Sequence, residues 1–214
     1  MMTLKPASRI RVLTVDDHPM LREGIASAIG RETDMEVVGE ADNGRIAVAV
    51  FRQLQPEITL MDLQMPEMGG VDATIAIRTE FPSAKIIILT TFAGDVQAGR
   101  ALKAGACGYI LKSALGEDLV NTIRAVHAGR RQVAPDIAEE IAIHAGAENL
   151  SDRELEVLQQ VSTGKSNKEL AQTLGISEDT AKAHLKSIFG KLNVRDRTEA
   201  VTVAAKRGIL EFWR

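Results

Sequence analysis

The sequence has few of the residues that several classes of protein require. It contains one cysteine, Cys107, so an intrachain disulfide is excluded, and no Cys/His spacing indicates a zinc site. Aromatic residues make up 3% of the chain, which is few for a pocket that buries a ligand among aromatic rings. No apolar run is long enough to cross a bilayer, and the N-terminus lacks the apolar core of a signal peptide. We therefore expect a cytoplasmic protein with no membrane partner.

The charge is unevenly distributed along the 214 residues. Residues 149–214 carry 11 basic and 9 acidic residues, whereas residues 1–148 carry 15 and 20, so the two parts have opposite net charge. The length suits one large or two modest domains. An acidic metal-binding domain joined to a nucleic-acid-binding domain would give this pattern.

The main feature of residues 1–148 is a predicted buried strand that ends in a carboxylate. Residues 58–66 read ITLMDLQMP, in which four apolar or β-prone residues precede Asp62 and a proline follows it. Taken alone, such an acid is as well explained by a helix cap or a turn. Its neighbours in the predicted sheet favour a functional interpretation.

Polar residues also end three other predicted strands. Asp16 and Asp17 follow the run IRVLTV, Thr90 ends KIIILTT, and Lys112 ends CGYILK. In a parallel α/β sheet the carboxyl ends of the strands lie along one edge, so these side chains should meet. Clustered carboxylates need a cation among them, and Mg²⁺ accepts carboxylates while leaving room for phosphate oxygens. A carboxylate there can form an aspartyl-phosphate, with the charge balanced by an ammonium group.

The first part of the chain contains four motifs in the order VDDHP, MDLQMP, ILTT and GYILK. Together they resemble the receiver domain of bacterial response regulators over residues 10 to about 128. The resemblance implies that a histidine kinase phosphorylates Asp62. It also implies that Asp17 binds Mg²⁺, that Asp16 helps through water, and that the Gln64 carbonyl completes the protein ligands.

The same resemblance implies that Thr90 and Lys112 sense the phosphoryl group and that the Tyr109 rotamer follows a shift of Thr90. Relatives more often have an acid before glycine where this chain has Gly69-Gly70. We expect this departure to loosen the start of the following helix without touching a site residue.

Five alternations of strand and helix predict a doubly wound, five-stranded parallel sheet for the first part. The predicted domains are a receiver over residues 1–129, a linker over 130–148 and an all-helical domain over 149–214.

Ser151 and Glu154 form a capping box at the start of the all-helical domain. Further on, two helices joined by the turn LGIS predict a helix-turn-helix, whose second helix lies in the major groove of DNA.

The last part of the chain contains the segments LSDRELEVL, NKELAQTLGIS and TAKAHLKSIFGKLNV. Together they resemble the LuxR-type helix-turn-helix of the NarL/FixJ class of response regulators, over residues 150 to about 210. The resemblance implies that residues on the exposed side of the recognition helix, and residues near that helix, contact the major groove and the phosphates of DNA. The groove candidates are Lys182, Ala183 and Lys186, and the phosphate candidates are Lys168, Thr180 and Lys191.

These patterns together predict a DNA-binding transcriptional regulator, not an enzyme, that is gated by phosphorylation of Asp62. It would bind promoter DNA as a homodimer formed on phosphorylation, with RNA polymerase a further candidate partner. Three alternatives stay open from the residues alone. They are a constitutive dimer with a non-gating receiver, an aspartyl-nucleophile phosphatase and a ligand-sensing LuxR regulator. The phosphatase is disfavoured because position 64 is glutamine where such enzymes commonly have an acid.

Overall fold

A computed structural model describes residues 9–91, 95–114, 117–133, 138–139 and 150–210. The chain divides into two compact units, a sheet unit and a helical unit, and each is described by itself. Most of the predicted linker lies outside the described residues, so the domain boundaries stay predictions. Within the described residues, no helix is both long and apolar enough to span a membrane.

The first unit is built on one parallel sheet. Its strands are β1 (Ile10–Val15), β2 (Met35–Ala41), β3 (Ile58–Asp62), β4 (Ile86–Thr90), β5 (Gly108–Leu111) and β6 (Gln132–Val133). They lie in the order β2-β1-β3-β4-β5-β6. β3 and β4 are buried along their whole length, as their mainly apolar sequences predict for the centre of a parallel sheet.

The sheet has one strand more than the predicted five. β6 pairs in parallel with β5, and the backbone N–H of Gln132 donates to the carbonyl oxygen of Cys107 over 3.0 Å. A strand of two residues has no periodicity that a sequence pattern can detect. Residues that the sequence assigned to the linker therefore add a strand to the sheet.

Five helices connect the strands: α1 (Pro19–Gly30), α2 (Gly44–Leu54), α3 (Gly70–Glu80), α4 (Asp95–Lys103) and α5 (Glu117–His127). Local chemistry sets their ends. Pro19 occupies the first helical position of α1, and the side chain of Asn43 caps α2 by accepting from the N–H of Ile46 over 2.9 Å. α2 ends at Leu54, two residues before Pro56, which cannot continue a helix.

The crossover topology brings the carboxyl ends of the strands to one edge. Asp62 is the last residue of β3 and Thr90 the last residue of β4. Asp16 directly follows β1, and Lys112 directly follows β5 in a single turn of 3₁₀ helix. The predicted convergence of polar side chains at this edge therefore has its structural basis in β1, β3, β4 and β5, which are adjacent in the sheet.

The helical unit contains α6 (Asp152–Ser162), α7 (Asn167–Leu174), α8 (Glu178–Leu192) and α9 (Arg197–Lys206). The predicted capping box at Ser151 and Glu154 is present, and a second one joins Ser166 to Glu169. Gly175 ends α7 in the left-handed conformation with φ 65° and begins the turn into α8. One apolar core unites the four helices, among others through Leu158, Leu170 and Leu185.

Gly70, the first residue of α3, lies close to the backbone of β3. A Cβ atom at position 70 would lie 1.9 Å from the carbonyl oxygen of Asp62. The N–H of Gly70 also donates to the carbonyl oxygen of Leu63 over 2.9 Å. The start of α3 therefore packs directly against the backbone that carries the strand-end carboxylate.

We predict that Gly70→Ala destabilises the sheet unit by about 1 to 3 kcal/mol, because the added methyl group forces the backbone of Asp62 to move. Urea denaturation followed by circular dichroism measures this change. Gly24→Ala is the matched control, since nothing lies within 4 Å of the Cβ position in the middle of α1. The interpretation is wrong if Gly70→Ala is as stable as Gly24→Ala.

Candidate functional site

The centre of the site is a lysine between two buried carboxylates. The Nζ atom of Lys112 lies 2.7 Å from Oδ2 of Asp16 and 2.8 Å from Oδ2 of Asp62. Asp16 is fully buried and Asp62 is 3% exposed. The structure thus brings together the ends of β1, β3 and β5 through one ammonium group.

Burial and charge act in opposite directions on these groups. Burial raises the pKa of Asp62 to about 6, and the nearby Asp16 carboxylate adds to the increase, whereas Lys112 opposes it. Burial lowers the pKa of Lys112, but the two carboxylates outweigh that effect and raise it. The lysine therefore stays charged, while Asp62 is a carboxylate that gains from any further cation.

A metal-ligand set lies beside this lysine. One ligand atom each from Asp16, Asp17, His18 and Asp62 can be chosen so that all lie within 4.8 Å of one another. Carboxylate oxygens are the ligands that Mg²⁺ prefers, and the 33% exposure of the Asp17 side chain leaves access for water. The residues present therefore fit a magnesium ion.

Gln64 and His18 lie beside the carboxylate cluster. The backbone N–H of Gln64 donates to the Asp62 carboxylate, and its carbonyl as a metal ligand stays a prediction. His18 occupies the N-cap position of α1 without a capping hydrogen bond from its side chain. Its Nδ1 lies 2.7 Å from Oδ1 of Asp17, although 64% of its side chain is exposed. The histidine is therefore both a helix-start residue and a neighbour of the acid pair.

Thr90 and Tyr109 lie next to the carboxylate cluster in the sheet. Thr90 is 5% exposed at the end of β4, and Tyr109 is 1% exposed within the adjacent β5. Burial raises the pKa of Tyr109, and its interaction with the Thr90 side chain partly offsets that increase. The aromatic ring therefore points into the protein and interacts with the threonine.

The exposed face of α8 carries the three groove candidates. Lys182, Ala183 and Lys186 are all exposed, whereas Ala181, Leu185 and Ile188 of the same helix are buried. The Nζ atom of Lys182 lies 3.1 Å from Oδ1 of Asp179, an exposed pair that water screens. One side of α8 therefore packs into the core, and the other presents lysines to solvent.

The three phosphate candidates differ in their surroundings. Lys168 and Thr180 are exposed near the N-termini of α7 and α8. Lys191 is half-buried, and its Nζ atom donates to Oε2 of Glu154 over 2.9 Å. Its contact with DNA stays a prediction, and the structure adds a role in tying α8 to α6.

Glu154 is a buried acid whose full role the sequence did not indicate. Its Oε1 accepts from the hydroxyl of Ser187 over 2.7 Å, and its Oε2 accepts from Lys191 and from the N–H of Ser151. Burial would raise the pKa of Glu154, but these hydrogen bonds lower it to about 2. The capping motif predicted the contact with Ser151, and only the fold reveals the two contacts with α8.

Two protein families match the chain. Residues 12–124 match the family described as response regulator receiver domain, and residues 148–204 match the family described as bacterial regulatory proteins, luxR family. The two matches correspond to the sheet unit and the helical unit.

Characterised and uncharacterised bacterial proteins are similar over nearly the whole length. An uncharacterized transcriptional regulatory protein, YxjL of Bacillus subtilis, is 41% identical over 95% of this chain and 98% of its own. The response regulator protein VraR of Staphylococcus aureus is 38% identical over 94% of this chain and 99% of its own.

Solved structures give the same picture. A LuxR-family two-component response regulator from Aurantimonas sp. SI85-9A1 has a TM-score of 0.61 and 43% identity, over 64% of this chain and 99% of its own. The structure of RcsB bound to DNA has a TM-score of 0.68 and 25% identity, over 93% of this chain and 99% of its own.

Glu154 leads to a prediction about acid stability. Because its pKa is lowered from the ordinary 4.5 to about 2, its contribution is complete above pH 4.5 and is lost as the pH falls toward 2. We predict that Glu154→Gln lowers the free energy of unfolding by about 2 to 3 kcal/mol at pH 7 and by much less at pH 3. Urea denaturation at the two pH values, followed by circular dichroism, measures this difference.

Glu156→Gln is the control on the same helix. Its carboxylate is about half exposed and pairs only with Arg153 among the described residues, so its loss should cost under about 0.5 kcal/mol. Equal effects of the two substitutions at pH 7, or an effect of Glu154→Gln that does not depend on pH, would contradict the prediction.

Proposed function

The chain belongs to the response regulators of two-component systems in which a receiver domain is joined to a LuxR-type helix-turn-helix, and on that premise we propose that Asp62 accepts the phosphoryl group. Proteins of this family are phosphorylation-dependent, DNA-binding transcriptional regulators and not enzymes. The phosphatase and the ligand-sensing alternatives therefore fall away.

The observation that carries the assignment of Asp62 is its ion pair with Lys112 at the edge of the sheet. A carboxylate oxygen of Asp62 would form the new P–O bond as the P–N bond to a phosphohistidine of the partner kinase breaks. The departing imidazole keeps the electron pair of that bond. Lys112, which stays protonated, would then neutralise one of the phosphoryl oxygens.

Asp17 and Asp62 would hold Mg²⁺ directly, Asp16 would assist through a bound water molecule, and the Gln64 carbonyl would complete the set. When bound, the ion supplies charge neutralisation for the phosphoryl oxygens. The acid cluster supports this arrangement because its ligand atoms already lie close together. Asp16 also accepts from the backbone N–H of His18 over 2.9 Å, which fixes its carboxylate.

Thr90 and Tyr109 would report phosphorylation to the surface. A phosphoryl group adds negative charge and acceptor oxygens, and the Thr90 hydroxyl would donate to one of them. Because Tyr109 is buried and interacts with Thr90, a shift of the threonine changes the space that the ring occupies. Such a local change biases a two-state element.

The DNA-bound form would be a homodimer that forms on phosphorylation and contacts two half-sites separated by one helical turn or a multiple of it. Lys182, Ala183 and Lys186 would enter the major groove. Lys168, Thr180 and Lys191 would contact phosphates, and RNA polymerase would be a further partner at the promoter. The exposed lysine face of α8 supports this orientation.

The decisive experiment measures DNA binding by the full-length protein with and without Mg²⁺ and a small phosphoryl donor. We predict that the donor tightens binding of a selected site at least about tenfold in the wild type, and that Asp62→Asn shows no such change. Equally tight binding in every sample would instead identify a constitutive dimer with a non-gating receiver. Light scattering on the same samples measures whether the donor produces the dimer.

A second prediction concerns the lysines of α8. If Lys186 neutralises a phosphate, Lys186→Ala should weaken binding to all sequences alike and reduce the slope of log K against log salt by about one. If it contacts a base edge, the loss should fall mainly on the selected site, by about 1 to 3 kcal/mol. Lys206→Ala, an exposed lysine outside the predicted interface, is the control. An unchanged affinity in Lys186→Ala would remove this residue from the interface.

A further inference from the structure

A groove of about 590 Å³ lies between α3 and α4, and the proposed function does not use it. Its walls come from one face of α3, the turn that follows α3, and the last turn of α4. The lining residues are Val71, Ile75, Arg78, Thr79, Pro82, Arg100, Lys103, Ala104 and Gly105. None of them is a candidate for the phosphoacceptor site.

The groove is strongly cationic although the acidic residues outnumber the basic ones in the first part of the chain. Arg78, Arg100 and Lys103 line it, and none of the described lining residues is acidic. Among the described residues, no carboxylate forms an ion pair with any of these three cations. An anionic ligand would therefore meet positive charge that is not already neutralised.

Arg78 is held in place before any ligand arrives. Its Nη1 donates to the carbonyl oxygen of Ala84 over 2.8 Å, and its guanidinium lies across Gly105. A Cβ atom at position 105 would be 2.6 Å from Nε of Arg78, and the φ angle of 101° there also requires glycine. The other N–H groups of Arg78 have no acceptor among the described residues, so the cation is pre-organised for recognition.

The same groove exposes apolar surface. Ile75 is 48% exposed and is one of three large apolar residues that are exposed in the described part of the chain. Val71, Pro82 and Ala104 lie around it. A ligand for this groove must therefore combine negative charge with an apolar group.

Exposure of the walls indicates the kind of ligand. Ile75, Thr79, Pro82, Arg100 and Lys103 are all solvent-exposed, so the groove is open along its length. A small anion would leave most of its surface in water there, whereas small-molecule pockets bury most of their ligand. A helix laid along the groove would cover Ile75 and bring several carboxylates to the cations at once.

We propose that the α3–α4 groove docks an acidic amphipathic helix of a partner protein, with an apolar side chain against Ile75 and carboxylates against Arg78, Arg100 and Lys103. The carboxylate side chains satisfy the charge, and the apolar contact fixes the position of the helix. None of the groove residues belongs to the phosphoacceptor site, so the unphosphorylated protein is used for the test.

The test uses full-length protein and a fluorescein-labelled synthetic helix with leucine on one face and glutamate on the other. Fluorescence anisotropy should show saturable binding that weakens at least about tenfold in the double variant R100E/K103E, and also in Ile75→Ser. A peptide with lysine in place of every glutamate should bind R100E/K103E better than the wild type. This rescue separates charge recognition from any damage to folding.

Arg31→Glu with Arg45→Glu is the matched control, since it changes the net charge equally at exposed positions outside the groove. Absence of saturable binding to the wild type would overturn the proposal, as would equal binding of a glutamine-substituted peptide. Equal weakening by the control pair would also overturn it. Pyrophosphate is added as a competitor. If it does not displace the labelled peptide, the helix-docking proposal is supported; if it does displace the peptide, the groove is a small-anion site and the proposal is wrong.

Discussion

The structure of the site depends on one buried cation, the ammonium group of Lys112 between Asp16 and Asp62. Two carboxylates at the ends of adjacent strands repel each other, and taking them out of water adds a cost that only a partner of opposite charge offsets. Removing one member of such a buried pair typically costs about 3 to 5 kcal/mol, because it leaves an unpaired charge. The positions of β1, β3 and β5 and the chemistry of their ends are therefore set by the same contacts.

This constraint explains why so much of the site was predictable from the sequence. Parallel strands deliver their carboxyl ends to one edge whatever their side chains, so an acid after β1, an acid ending β3 and a lysine after β5 had to meet. The buried β3 and β4 could be recognised from their mainly apolar sequences. The helical unit was equally readable, because a capping box and a glycine mark the ends of its helices with local chemistry.

The features that escaped prediction depend on contacts between residues distant in the sequence. Glu154 looked like a helix cap, and its bonds to Ser187 and Lys191 exist only because α6 packs on α8. The need for glycine at position 70 was not visible in the sequence, because it arises from the carbonyl of Asp62, which occupies the space that any side chain there would need. A two-residue strand such as β6 has no pattern of its own and forms because β5 leaves an edge to pair with.

The arrangement at the sheet edge also indicates how a covalent change at one carboxylate can be felt elsewhere. Lys112 forms ion pairs with both Asp16 and Asp62, and Tyr109 is buried in the strand next to Thr90. A phosphoryl group on Asp62 would bring new oxygens that compete for the same lysine and the same hydroxyl. Because protein interiors are close-packed, a shift of Thr90 would require the adjacent ring of Tyr109 to move, since there is little empty space to accommodate the shift. On the proposed function, the switch would need no new cavity or long-range charge effect, because the buried lysine would sense the charge and the packed threonine and tyrosine would convert it into a change of shape.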